Sequence, residues 1–180
     1  MGIKYSVFIA ASLDGFIARK DGSLDWLPGS DGQTSDEDTG YDDFYASVDT
    51  LVMGRNTYEL VQTFGEWPYA DKTVLVLSHR YPEQMKRIAE GVWGLSALPA
   101  NLVSELQRLG AKHVYVDGGK TIHGLLRAGL IDEMTITRVP VLLGEGISLF
   151  GDLEGDIRLL HLSTRTFDNG MVQSRYEVIR

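Results

Sequence analysis

Three segments place anion-binding residue types directly after an apolar run: MGRNTYE at 53–59, LSHR at 77–80 and VDGGKT at 116–121. In the first, Gly54 allows a sharp turn while Arg55, Asn56 and Thr57 open a helix, where free N–H groups and a cation grip phosphate. A plain capped turn is the alternative. In the second, Ser78, His79 and Arg80 suit a phosphate monoester, with a solvated loop end as the alternative. The third ends like a nucleoside-triphosphate loop, but GxxxxGK[ST] needs a glycine where Val114 stands inside an apolar run. The triphosphate reading therefore fails. What remains is a strand that stops at Gly118 and Gly119, with Lys120 and Thr121 opening a helix whose N-terminal dipole faces an anion such as a pyrophosphate.

A fourth segment, SLDGFIARKDGSLDWL at 12–27, mixes glycines with Phe16, Ile17, Trp26 and Leu27. That mixture suits a mobile flap that covers a ring and excludes water; a surface loop pinned by its apolar residues is the alternative. Asp25 becomes a proton donor if burial raises its pKa from about 3.9 toward neutrality. Asp14 precedes a glycine and reads first as a turn-maker.

These segments need a scaffold that brings strand ends together. Strands are expected over Lys4–Ala10, Thr50–Met53, Thr73–Leu77 and His113–Val116, with a further short one near Val92 and Trp93. TVLVL at 73–77 is apolar without alternation, as in a strand covered on both faces. Helices are expected over Tyr41–Val48, Asn56–Phe64, Pro99–Leu109 and Thr121–Ala128, the third with Pro at its start. Then the pattern changes. Met134–Val141 reads as a strand, and Arg158–Phe167 and Val172–Ile179 as two long strands joined by Asp168, Asn169 and Gly170. Alternating units followed by a hairpin predict an α/β fold of three layers, with a mixed, mostly parallel sheet between helices and an antiparallel C-terminal hairpin. In such a sheet, ligands bind at the carboxyl ends of the strands. PVLLGEGISLF at 140–150 is expected to line the same cleft.

Composition narrows the function. A chain of 180 residues fits one domain spanning 1–180. A formal charge of −8 argues against nucleic-acid binding, and no apolar run has the length of a membrane span. There is no cysteine, and His79, His113, His123 and His161 show no metal-ligand spacing, so no metal site is expected. The N-terminus lacks a secretory pattern, and a cytoplasmic protein is expected.

The series SLDGFIA, DGSLDWL, LVMGRNTYE, TVLVLSHR, HVYVDGGKTIHGLL and PVLLGEGISLF resembles the dihydrofolate reductase fold, and more closely the branch holding the reductase domain of bifunctional riboflavin-biosynthesis proteins. The resemblance spans nearly the whole chain. It implies NADPH in the cleft, with backbone near Ala10 and Ile17 at the nicotinamide and Gly54, Arg55, Asn56 and Thr57 on the phosphates. It further implies Ser78, His79 and Arg80 on the 2′-phosphate, and Gly118, Gly119, Lys120 and Thr121 under the pyrophosphate. The substrate it implies is 5-amino-6-(5-phosphoribosylamino)uracil or a related small heterocycle, acted on by a homodimer. No deaminase segment or its zinc motif is present, so a stand-alone reductase domain is expected.

Asp14, Asp25 and Trp26 match motif positions at the substrate end. The folate enzymes carry a carboxylate about four residues before an aromatic that packs on the pterin; if Phe44 is that aromatic, the matching position is Gly40. Glu37 shares the face of Phe44 if the helix begins at Ser35, whose SDED resembles a capping box. A start at Thr39 leaves Glu37 in a loop. Dihydrofolate is therefore disfavoured, whereas hydride transfer to an imine-like acceptor asks mainly for positioning and exclusion of water. A nucleotide-binding protein without turnover is the remaining alternative.

Overall fold

Apolar runs without alternation are stable only where both faces of a strand are covered, and they occupy the middle of this molecule. The computed structural model describes residues 2–28 and 37–180. In chain order the elements are β1 (Lys4–Ser12), β2 (Phe16–Ala18), α1 (Tyr41–Ser47), β3 (Thr50–Gly54), α2 (Arg55–Gln62), β4 (Thr73–Leu77), β5 (Lys86–Ala89), β6 (Val92–Leu95), α3 (Pro99–Arg108), β7 (His113–Asp117), α4 (Gly119–Arg127), β8 (Glu133–Val139), β9 (Ile147–Ser148), β10 (Leu159–Thr166) and β11 (Val172–Val178). Nine strands form one sheet in the order β10-β11-β8-β1-β7-β3-β4-β6-β5. The six strands from β8 to β6 run parallel, and both edges close with antiparallel pairs.

Helices cover both faces. On one, Leu102 and Leu106 of α3 and Ile122, Leu125 and Leu126 of α4 pack on Tyr5, Val7, Val114 and Val116. On the other, Tyr41, Phe44 and Tyr45 of α1 and Tyr58 and Val61 of α2 pack on Leu51, Met53, Val74 and Tyr115. Because side chains alternate along a strand, Tyr115 and Asp117 share the α1 face while Val114 and Val116 face α4. No helix among the described residues is long and apolar enough to cross a membrane.

The layered mixed sheet and the C-terminal strand pair are as the pattern predicts. Two details differ. Lys86 and Arg87 on the exposed edge strand β5 conceal it from an apolar-periodicity search. The segment 12–27 is not wholly irregular: β2 pairs antiparallel with β9, Phe16 opposite Ser148 and Ala18 opposite Ile147. A side chain at Gly146 would run into the Ala18 carbonyl, so glycine is what permits this approach. The flap is thus pinned to the 140–150 loop at this point. Helix α1 starts at Tyr41, as expected, after Gly40, which sits at φ 77°. The alternative start at Ser35 lies outside the described residues, and Glu37 precedes the helix in irregular backbone rather than riding on its face.

Candidate active site

A cleft arises where pairing stops. β1 bonds β7 only at Lys4, Tyr5 and Ser6, opposite His113, Val114 and Tyr115. Beyond that point β1 continues along β8 as far as Ser12 opposite Val139, while β7 continues along β3 as far as Asp117 opposite Met53. The two strands therefore part above Tyr115. Since β1, β3, β4 and β7 are parallel, the turns at their carboxyl ends all lie on one rim.

Two of those turns interlock. Gly118 has φ 93° and ψ 139°, a backbone conformation that only glycine adopts without strain. A Cβ there would lie 2.6 Å from Thr57 Oγ1, one at Gly54 would lie 3.2 Å from Thr121 Oγ1, and one at Gly119 would lie 3.1 Å from the Ser148 carbonyl. The first helical turns of α2 and α4 consequently stand side by side, and neither has a side-chain N-cap. Their leading N–H groups are the donors that a phosphate takes up. Arg55 is half-buried and donates to Glu59 at 2.6 Å, whereas Asn56 and Lys120 are exposed. Thr57 is half-buried and Thr121 buried. On the neighbouring strand end, the Arg80 N–H donates to Ser78 Oγ at 3.2 Å, and His79 and Arg80 are exposed. Among the described residues neither Arg80 nor Lys120 has an acidic partner, which leaves both charges available to an anion.

The remaining expected residues divide. Ile17 reaches this rim, its Cδ1 3.3 Å from where a Gly119 side chain would begin. Ala10 lies on the cleft strand and, like Trp26 and Leu27, packs against the cluster of Val139, Phe167 and Met171. Trp26 Nε1 is buried without a hydrogen-bond partner. Asp14 accepts from Ser12 Oγ at 2.6 Å and from the N–H groups of Leu143 and Gly144 at 3.2 and 2.8 Å. The Ser12 bond above all holds its carboxyl below the usual range, so Asp14 acts as a clip between two loops and is a poor proton donor. Asp25 pairs with Arg19 at 2.6 Å and is largely exposed rather than buried. Glu37 is half-buried outside the helix that was to present it.

The carboxylate that the cleft does contain is Asp117. It ends β7 where β1 has moved away, keeps partial exposure, and accepts the Gly118 N–H on Oδ1 at 2.9 Å. Burial pushes its pKa from 3.8 up to about 6. Tyr41, Tyr69 and Tyr115 surround it, each hydroxyl pushed upward mainly by burial and further by the Asp117 charge. Phe8 and Phe44 stack beside them at 5.0 Å, and Tyr115 donates to the Phe8 carbonyl at 3.2 Å. Asp117 lies inside the VDGG motif, but a search for a helical carboxylate passes over it. Its signal is parity, since it shares a face with Tyr115 at a strand's end. A separate groove of about 290 Å³, lined by Leu126, Ile131, Ile157 and Val178, lies at the opposite rim, away from these groups.

Residues 4–173 match the family model described as the RibD C-terminal domain. The uncharacterized protein YwjB of Bacillus subtilis (strain 168) is 36% identical over 179 residues, covering 96% of this chain and 97% of its own. A solved protein of Shewanella sp. PV-4, provisionally named a riboflavin biosynthesis protein, is 38% identical with a TM-score of 0.87, covering 99% of this chain and 100% of its own. Two more distant structures share the fold. Dihydrofolate reductase of Enterococcus faecalis, complexed with NADP(H), has a TM-score of 0.67 at 19% identity over 98% of this chain and 97% of its own. The deaminase/5-amino-6-(5-phosphoribosylamino)uracil reductase of Thermotoga maritima has a TM-score of 0.69 at 14% identity over 98% of this chain and 57% of its own.

Proposed function

Because the chain belongs to the RibD C-terminal domain family, we propose that it is an NADPH-dependent reductase of a small nitrogen heterocycle related to the ribosylamino-pyrimidines of riboflavin biosynthesis. The observation that carries this reading is the interlocked, uncapped pair of turns at Gly54 and Gly118 beside a cleft that holds the partly exposed carboxylate of Asp117. The residues present fit the cofactor: the absence of a side chain at Gly118 lets Thr57 approach, so the uncapped first turns of α2 and α4 stand together and offer adjacent N–H donors of the kind a pyrophosphate takes up. In this reading Arg55, Asn56, Thr57 and Gly118 to Thr121 hold the pyrophosphate. Ser78, His79 and Arg80 hold the 2′-phosphate, and Ala10 and Ile17 flank the nicotinamide. When bound, NADPH supplies the hydride.

The chain's own contribution is positional and acid–base. The aromatic wall of Phe8, Tyr41 and Phe44 excludes water and keeps a flat acceptor near the cofactor. Asp117 holds or accepts a proton at the carboxylate oxygen that Gly118 does not occupy. With its pKa raised to about 6, the protonated form that can donate persists to higher pH than in a free carboxyl. Dihydrofolate remains the weaker substrate reading, because Gly40 caps α1 where the folate carboxylate is expected. Asp14 and Asp25 then serve the flap, Asp14 as its clip to the 143–144 loop. Trp26 and Glu37 border the substrate end. We further place a homodimer interface on the edge strand β10, where Leu159, Leu160 and Leu162 are 39%, 50% and 40% exposed. The test is to follow NADPH absorbance with a ribosylamino-pyrimidine and with dihydrofolate, alongside quenching of Trp26 and Trp67 fluorescence by NADPH. Oxidation with the pyrimidine supports the reading. Quenching without oxidation of any acceptor leaves a nucleotide-binding protein, and no quenching at all removes the cofactor.

A further inference from the structure

Helix α1 supplies part of the aromatic wall at the acceptor end, yet little within the helix fixes where it sits. It has seven residues, no side-chain N-cap and no fully buried residue. A helix that short takes its place from what ties its ends. At the C-terminal end the ties run to the side of the cleft that holds β7 and β4. Tyr45 donates to Asp71 at 2.5 Å and to the Pro68 carbonyl at 3.3 Å, and Asp49 accepts the Lys112 and His113 N–H groups, each at 3.0 Å.

The N-terminal end is tied to the other side. One row of residues crosses the sheet outward from the cleft strand: Ala10 lies opposite Thr137, Thr137 opposite Gln173, and Gln173 opposite Arg165. Gln173 is only 7% exposed, so its amide needs partners within the fold. Its Nε2 donates to Thr137 Oγ1 at 2.9 Å and to the Thr39 carbonyl at 3.0 Å. Arg165 lies 4.5 Å over the Phe167 ring and donates to the carbonyl of Asp38, the residue before Thr39. Two residues that face each other on adjacent strands thus grip two consecutive carbonyls. Asp38 Oδ1 in turn accepts the Gly40 N–H at 2.8 Å, and Tyr41, the first residue of α1, follows. The Tyr41 ring lies 5.5 Å from Phe8 and 6.3 Å from Tyr115, beside Asp117.

We infer that Gln173 and Arg165 are positioning residues of the acceptor end: by fixing the Thr39 and Asp38 carbonyls they hold Tyr41 against Phe8 and beside Asp117, and so set acceptor affinity. They act through the segment that leads into α1 and leave the cofactor turns alone. The part that concerns the acceptor rests on the reductase reading above.

The experiment compares the parent chain with Gln173→Met, which keeps the length of the side chain and removes the donor, and with Arg165→Met, on an exposed strand where the fold does not depend on it. The first reading is the NMR titration midpoint of the Asp117 carboxyl carbon, identified by its loss in Asp117→Asn. The groups that face this carboxyl are the hydroxyls of Tyr41, Tyr69 and Tyr115 and the Gly118 N–H, and burial holds its pKa at about 6. Release of Tyr41 admits water, so the midpoint should fall by ~0.5 or more in both variants. Arg165→Lys, which can still donate to the Asp38 carbonyl, should stay near the parent. The second reading is NADPH oxidation with 5-amino-6-(5-phosphoribosylamino)uracil. Its KM should rise about fivefold in each Met variant, the worth of one hydrogen bond, while the NADPH dissociation constant stays within about twofold. Unchanged midpoints in folded variants overturn the inference. So does an equal weakening of NADPH and pyrimidine, which marks a general loosening of the fold. A parent chain that oxidises no NADPH with this pyrimidine strikes the reductase reading instead, and the midpoints then decide the positioning role by themselves.

Discussion

Replacing Asp117 by Asn keeps the shape and the acceptor for the Gly118 N–H but removes a charge that the fold disfavours. Burial raises the Asp117 pKa from 3.8 to about 6, so the folded chain binds this proton more tightly than the unfolded chain. As pH rises from about 4, the unfolded state ionises first and gains stability; above about 6 both states are ionised and the penalty is constant. A displacement of about two decades in the proton equilibrium is worth on the order of 3 kcal/mol, and about half of it accrues between pH ~5 and pH ~8. Asn has no such titration. Urea unfolding of both proteins at those two pH values should therefore show Asp117→Asn gaining about 1.4 kcal/mol on the parent from the lower to the higher pH. The same variant should lose turnover, since the cleft gives up the carboxylate proposed to handle the proton. An offset in stability that is the same at both pH values would refute the burial argument.

Other perturbations test the cofactor turns and the assembly. Arg80→Ala should weaken NADPH by about tenfold, the value of one charge-assisted contact, while NADH changes little; equal losses in the two titrations would remove Arg80 from the 2′-phosphate. Gly118→Ala must hold a side chain at φ 93° and displace Thr57. It should cost at least about 1–2 kcal/mol in thermal unfolding and abolish NADPH quenching of tryptophan fluorescence, and an unchanged melting temperature would contradict the geometry. Leu160→Glu puts a charge on the exposed edge strand and should yield monomers in sedimentation experiments. A parent chain that sediments as a monomer would dispose of that interface.

The central strands were legible because Thr50–Met53 and Thr73–Leu77 are apolar throughout, which few other environments tolerate. The glycine turns were legible as turns because a pair such as Gly118 and Gly119 ends a strand sharply. Their contact with one another was not, since Thr57 meets Gly118 only through the order of strands in the sheet. The short strands β2 and β9, of three and two residues, are below the length at which alternation can be read. Edge strand β5 hides behind Lys86 and Arg87. Asp117 escaped for a related reason. Its chemistry comes from the departure of β1 and from tyrosines at 41, 69 and 115, distant positions that no local pattern joins.

The sheet is continuous only at its base. Three register pairs, from Lys4 to Ser6, tie the leaf of β8, β11 and β10 through β1 to the leaf of β7, β3 and β4. A 2.8 Å hydrogen bond between Ser6 Oγ and His113 Nε2 fastens that seam. From Ser6 to Ser12 the strand climbs about 20 Å, so a rotation of roughly 3° at the seam moves the mouth by about 1 Å. The aperture that admits a ligand is thus set by leverage from the far end of β1, and a change at Ser6 or His113 reaches the mouth without touching anything bound there.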